Sequence, residues 1–203
     1  TGSLNFGAGF SSVDSLIGFV ELTQSNFDIT NWPRFTGGGQ RFRARVQYGT
    51  ERKDFVVSLT EPYFLDYRLA VGGELFYHDA NFLSTVYSQR NYGLSLFTRK
   101  GINQFLSWRL DYRVENINIY DLASDVSQEI EDEAGAKWKS QIGPTLVYDS
   151  RDSVFLTRRG SRVELASYIA GGPLGGDVQI YGLDLEATKY FLLPWDTILT
   201  LNG

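Results

Sequence analysis

Few side chains in this sequence could do chemistry, and their spacing limits what that chemistry can be. His78, the one histidine among 203 residues, closes the segment GELFYHD. A single imidazole cannot hold a metal without further ligands, and no Ser or Cys stands in a recognisable nucleophile motif. The run EIEDE, Glu129 to Glu133, gathers carboxylates that suit a hard cation but lacks the glycine-containing spacing of a calcium loop. It reads as a solvated acidic loop. GGPLGGD, Gly171 to Asp177, has the glycines of a phosphate loop without the Gly-Lys-Ser/Thr ending or a following helix, and reads as a hairpin connection. DSRDS is different. Asp149, Arg151 and Asp152, followed by Arg158, Arg159 and Arg162, set opposite charges at close range. Such a cluster either braces a wall through ion pairs or docks another segment of chain. No catalytic residue, metal or cofactor is expected.

The elements that carry these residues are strands. In QRFRARVQY, Arg41, Arg43 and Arg45 alternate with Phe42, Ala44 and Val46, a period of two that gives one cationic and one apolar face. WRLDYRVE repeats the pattern, with Trp108, Leu110, Tyr112 and Val114 against Arg109, Asp111, Arg113 and Glu115. So do YGLDLEATKY and SRVELAS. Eleven strands are expected: Ser3–Phe10, Leu16–Asn26, Gln40–Tyr48, Asp54–Thr60, Arg68–His78, Asn91–Thr98, Phe105–Ile117, Gln141–Ser150, Arg162–Ala170, Gln179–Tyr190 and Thr197–Asn202. Most approach the roughly 9–11 residues of a tilted membrane-spanning strand. No linker or composition shift divides the chain, so residues 1–203 form one domain.

The connections alternate in character. NWPRFTGGG, PYFLDY, RKGINQ, LTRRGS and FLLPWD take one end of the hairpins, and three of them place Pro beside an aromatic. SSVDS, GTERK, DANFLSTVYSQR, DLASDVSQEIEDEAGAKWKS and AGGPLGGD take the other, including the longest and most acidic loop. Short turns on one side and longer polar loops on the other are the asymmetry of a transmembrane barrel, with the aromatics as a girdle. Trp and Tyr then face lipid, while Arg, Asp and Glu line a wet lumen. A soluble sandwich or barrel, a carbohydrate binder using its exposed aromatics, is the rival the pattern leaves open.

Composition narrows the class. Hydrophobic residues at 42% exclude disorder, and 15% aromatics with 21 glycines suit many strands and tight turns. A net charge of −5 argues against a nucleic-acid partner. The chain has no cysteine and hence no disulfide framework. No run approaches the ~20 apolar residues of a membrane helix, which does not bear on strands. Single-chain bacterial barrels close with an even number of strands. Eleven is odd, so the chain is expected to be the N-terminal part of a larger barrel.

TGSLNFGAGFSSVDSLIGFVELTQSNF, LTEPYFLDYRLAVGGELFY and YDSRDSVFLTRRGSRVEL resemble, in order and spacing, the opening barrel strands of the BamA family of outer-membrane assembly proteins. The resemblance covers essentially the whole chain. It implies an antiparallel barrel of sixteen strands in the bacterial outer membrane, preceded by periplasmic POTRA domains. It implies unfolded outer-membrane proteins as clients, accessory assembly lipoproteins as partners, and contact with outer-membrane lipids. It also implies that Ser3, Leu4, Asn5, Phe6, Gly7, Ala8, Gly9 and Phe10 form a pairing edge at a lateral seam. Arg41, Arg43, Arg45, Arg109, Asp111, Arg113, Asp149, Arg151 and Asp152 are the expected lumenal charges. A loop bearing Arg-Gly-Phe, later in such proteins, could dock on DSRDS. A secretion pore of the same superfamily and a passive anion-preferring porin are the alternatives.

Gly7 and Gly9 raise the entropy cost of ordering the first strand and so would weaken its pairing. The plainer reading is that they relieve crowding.

Overall fold

Backbone alternation along the chain becomes a single antiparallel sheet. A computed structural model describes residues 2–11, 15–84, 87–124 and 126–203. Its strands are β1 (Gly2–Ser11), β2 (Ser15–Phe27), β3 (Gln40–Gly49), β4 (Arg52–Glu61), β5 (Leu69–Ser84) and β6 (Tyr87–Gly101). They continue as β7 (Leu106–Tyr120), β8 (Gly135–Asp149), β9 (Gly160–Ala170), β10 (Ile180–Leu193) and β11 (Thr197–Asn202). Each pairs with the next in sequence, so the sheet order is the chain order and β1 and β11 are its two edges. All eleven expected strands are present. SSVDS lies largely outside the described residues.

Register assigns the two faces. Residues directly opposed in an antiparallel pair point to the same side. Glu21 opposes Arg45, Thr23 opposes Arg43 and Asp54 opposes Gln47, which makes one face polar. Leu22 opposes Ala44, and Val46 has Val20 on one side and Phe55 on the other, which makes the second face apolar. The same division continues to the far edge. There Leu165 lies between Leu146 and Leu185, while Glu164 lies between Val147 and Glu186.

No interior encloses the apolar face. Among the described residues Phe76 and Ala170 are the buried apolar side chains, whereas Phe6 is 79% exposed and Leu183 70%. The chain exposes 13632 Å², against about 9,600 Å² for a compact monomer of 22.9 kDa. A soluble sandwich folds its apolar faces against each other and would not carry this excess. Aromatics gather at both ends of the apolar band. At the short-turn end Phe27 stacks between Phe42 and Phe35, with centroids at 4.8 and 5.5 Å, and Trp32 meets Phe35 edge-on at 5.1 Å. At the long-loop end Tyr92 meets Trp138 edge-on at 6.0 Å.

Two expectations need correction. DANFLSTVYSQR was expected as a connection, yet β5 runs to Ser84 and β6 begins at Tyr87. Within DLASDVSQEIEDEAGAKWKS, Gly135 onward belongs to β8 and Gln128–Asp132 form a helical turn, α1. In the first the outward row has turned polar, which removes the period-two signal; in β8 Ala136 and Trp138 still alternate with Lys137 and Lys139, opposite Asn118 and Asn116. Asp79, Arg90 and Asn118 continue the outward rows of β5, β6 and β7 beyond Tyr77, Tyr92 and Asn116. Asp79 is buried there among polar groups, accepting hydrogen bonds from Tyr120 Oη at 2.6 Å, Arg90 Nη2 at 3.1 Å and Tyr77 Oη at 3.2 Å.

Candidate functional site

β1 is positioned by β2 alone. Its register, Ser3↔Thr23, Asn5↔Glu21, Gly7↔Phe19 and Gly9↔Ile17, puts Ser3, Asn5, Gly7 and Gly9 on the polar face. Leu4, Phe6, Ala8 and Phe10 are on the apolar face, opposite Leu22, Val20, Gly18 and Leu16. The far side of β1 has no strand partner among the described residues. It therefore presents a row of backbone N–H and C=O groups able to template another strand.

The two glycines of β1 differ. A Cβ on Gly7 would stand 2.7 Å from Phe19 Cε1, because the Phe19 ring lies across it. A Cβ on Gly9 would meet nothing nearer than Ile17 Cγ2 at 3.8 Å. Gly7 thus makes room for a ring, whereas Gly9 has room to spare.

The Phe19 contact belongs to a repeated device that alternation does not reveal. Arg45 lies over the Phe19 ring, 5.1 Å from its centroid. Phe97 covers Gly72, and Arg109 lies over Phe97 at 5.1 Å. Arg113 also lies over Phe76 at 4.1 Å, but a Cβ on Gly93, opposite Phe76, would meet Val114 O and Glu115 and not the ring. At the first two levels a glycine admits a ring from the next strand and a guanidinium lies over the ring. The only sequence signal would have been an inward aromatic paired in register with a glycine.

Most inward arginines also have carboxylate partners. Arg43 Nη2 donates to Glu21 Oε2 at 2.6 Å, with Arg45 3.8 Å from the same carboxylate. Arg109 reaches Asp111 at 2.6 Å and Arg113 reaches Glu115 at 2.8 Å. Arg162 pairs with Glu164. Several of these partners lie two residues apart on one strand, the spacing that returns a side chain to the same face. Arg41 has no carboxylate within ion-pair distance among the described residues and lines a cavity instead.

The DSRDS residues separate into two roles. Arg151 grips Asp149 with two hydrogen bonds, Nε to Oδ1 at 2.9 Å and Nη2 to Oδ2 at 2.7 Å, and Arg162 opposes Asp149 across the ladder. That carboxylate is committed to the wall. Asp152 lies in the β8–β9 connection, where Oδ1 accepts the backbone N–H groups of Ser153, Arg158 and Arg159 at 3.0–3.2 Å. Those N–H bonds, first from Arg158 and then from Arg159, hold its pKa below the ordinary carboxylate value.

His78 Nδ1 lies 2.8 Å from Asp54 Oδ1, and the ring stacks on Phe76 at 5.4 Å, so its contacts are those of a wall residue. Glu129 and Glu131 lie on α1, and Glu133 pairs with Lys137 at 2.6 Å. Among the described residues no group of three or more His, Cys, Asp or Glu side chains could hold a metal. GGPLGGD folds back on β8: Trp138 N donates to Asp177 Oδ2 at 2.8 Å and Asp177 N to Trp138 O at 2.7 Å. Gly176, at φ +98°, supplies the left-handed backbone this return requires.

Comparison with known proteins agrees with this geometry. A family model described as the Omp85 superfamily domain matches residues 34–203. The sorting and assembly machinery component 50 homolog B of Xenopus laevis is 25% identical over 175 residues, covering 84% of this chain and 36% of that protein. The outer membrane protein assembly factor BamA of Nitratidesulfovibrio vulgaris is 23% identical over 163 residues, covering 79% and 20% respectively. The crystal structure of BamA from Haemophilus ducreyi lacking POTRA domains 1–3 superposes with a TM-score of 0.74 at 20% identity, over 96% of this chain and 38% of that one. The chain thus spans between a fifth and about two fifths of the length of these relatives.

Proposed function

The chain belongs to the Omp85 superfamily, and on that footing we propose that it is the N-terminal part of a sixteen-stranded assembly barrel. In this reading it inserts β-barrel proteins into the bacterial outer membrane through a lateral seam at β1. The apolar face contacts lipid and the polar face lines the lumen. Its partners are unfolded outer-membrane proteins and accessory assembly lipoproteins, and it acts without covalent chemistry.

The observation that carries the reading is β1 as an edge strand with divided faces. Leu4, Phe6, Ala8 and Phe10 already suit lipid, so opening this edge exposes backbone polar groups rather than charged side chains. Lipid offers those groups no hydrogen bonds, which makes an unpaired edge costly and favours capture of an incoming strand. Capture by β-augmentation fixes direction and register through the backbone, leaving client side chains free to vary. Single cysteines along Ser3–Phe10 should therefore form register-specific crosslinks to the last strand of a client during its assembly. Crosslinks without register, or none above background, would reject this role for β1.

One observation favours a second reading. Inward arginines without carboxylate partners would give a passive pore a preference for anions. Steady anion-selective open states in planar bilayers would support it.

A further inference from the structure

At the short-turn end of the polar face, Arg41, Arg68 and Arg99 wall a single cavity of about 810 Å³, together with Ser25, Pro62 and Tyr63. No acidic residue lines it. The contrast with the rest of this face is sharp, because Arg43, Arg52, Arg109, Arg113 and Arg162 all have carboxylates within ion-pair distance. None of the three cavity arginines does, among the described residues. Arg99 moreover opposes Arg109 directly across the β6–β7 ladder, and Arg109 holds Asp111, which leaves the charge of Arg99 to be offset by an added anion.

The spread of the three side chains indicates the size of that anion. Arg41 is on β3, Arg68 immediately precedes β5, and Arg99 is on β6. Three strand spacings separate the backbones of the outermost pair, about 14 Å, and a cavity of about 810 Å³ exceeds what one phosphate or carboxylate fills. An extended polypeptide with acidic residues at alternate positions repeats its charge every ~6.6–6.8 Å and can present successive carboxylates to the three guanidinium groups. A second cavity, of about 480 Å³, shares Ser25 and Arg41 with the first and reaches Gly2 and Ser3. The cationic wall is therefore continuous with the beginning of β1.

We propose that the Arg41–Arg68–Arg99 cavity binds an extended, carboxylate-rich polypeptide segment at the lumenal mouth. The inference goes beyond the assembly reading, and its test needs no assembly activity. Each guanidinium would make charge-assisted hydrogen bonds to a carboxylate, bidentate where geometry permits. Tyr63, at the rim, offers a ring to the segment's stem.

The test uses the complete protein folded in zwitterionic detergent and a fluorescein-labelled octapeptide of alternating Glu and Ser, read by anisotropy. The Glu peptide should bind, weaken as salt rises, and lose at least about tenfold in affinity in the Arg41→Gln/Arg68→Gln/Arg99→Gln variant. The single Arg68→Gln variant should lose part of that affinity, and is informative if the triple variant fails to fold. Arg158→Gln, at a residue paired with Asp196 outside the cavity, should leave binding unchanged. Equal binding of a Gln–Ser peptide, or unchanged binding by the variants, would overturn the proposal. Complete displacement by inorganic phosphate at equal charge would overturn the polypeptide assignment in favour of a small-anion site.

Discussion

The Phe19 ring lies over Gly7, close enough that a Cβ there would stand 2.7 Å from Cε1. Arg45 lies over the same ring, 5.1 Å from its centroid, and shares Glu21 with Arg43. The first strand is thus held to the second by a ring fitted into a glycine, in addition to backbone hydrogen bonds. Gly7 does not simply loosen the seam, because the residue that raises the entropy cost of ordering β1 also admits the contact that anchors it.

Gly7→Ala should push Phe19 off its seat and cost about 1–3 kcal/mol. Gly9→Ala, with open space at the same face, should be neutral or stabilise by up to about 1 kcal/mol. Folding titrations of the complete protein in lipid vesicles measure both. Gly7→Ala with Phe19→Ala should cost less than the sum of the two single changes, since either removes the same contact. Strict additivity would show that the ring and the glycine act independently.

The faces make a second prediction. Val46→Arg or Leu110→Arg, in the apolar band, should destabilise by about 2–4 kcal/mol. On the polar face the cost should depend on the partner left behind. Glu21 keeps Arg45 when Arg43→Ala is made, so that change should cost under about 1 kcal/mol. Glu115 is only 6% exposed, and Arg113→Ala should cost about 1–3 kcal/mol by orphaning it. Equal costs for Val46→Arg and Arg43→Ala would reject the assignment of faces.

Strand identity and face were legible in the sequence because Arg, Asp and Glu alternate with Trp, Tyr, Leu and Val wherever one side is apolar. Legibility ended where both sides become polar. At Asp79 and at Arg90 the backbone stays extended but the outward residues no longer contrast with the inward ones, whereas Ala136 to Lys139 keep the alternation and were hidden only by the acidic run before them. The Gly72–Phe97–Arg109 and Gly7–Phe19–Arg45 contacts were also hidden, since they depend on cross-strand register, which alternation within one strand leaves free. Asp149 and Asp152 both lie within two residues of Arg151 and look alike in sequence. Only the path of the connection assigns one to an ion pair and the other to backbone N–H groups.

Asp152 gives a dependence on pH. Its carboxyl is held below the ordinary value by N–H bonds that need the ionised form. Its contribution to the order of the β8–β9 connection is present above the unfolded value, roughly pH 4, and is lost as pH falls through the depressed folded value. Hydrogen exchange at the Arg158 and Arg159 amides, corrected for the intrinsic slowing of exchange in acid, should therefore accelerate on acidification. Asp152→Asn should accelerate it at neutral pH and flatten the dependence. Exchange that is insensitive to both would remove Asp152 from this role.

Sidedness follows from the two sets of connections. The connection from Asp121 to Ala134 should face the cell exterior and NWPRFTGGG the periplasm. Protease added to intact cells should cut the first and spare the second; the reverse would invert the topology.

The most direct test of the seam is a disulfide joining β1 to the last strand of the complete barrel, with insertion of a client barrel protein measured before and after reduction. A seam that must open predicts that insertion stops in the oxidised protein and recovers when the bond is reduced. Insertion at the normal rate through a locked seam would contradict it, and would leave the β1 edge without a part in assembly.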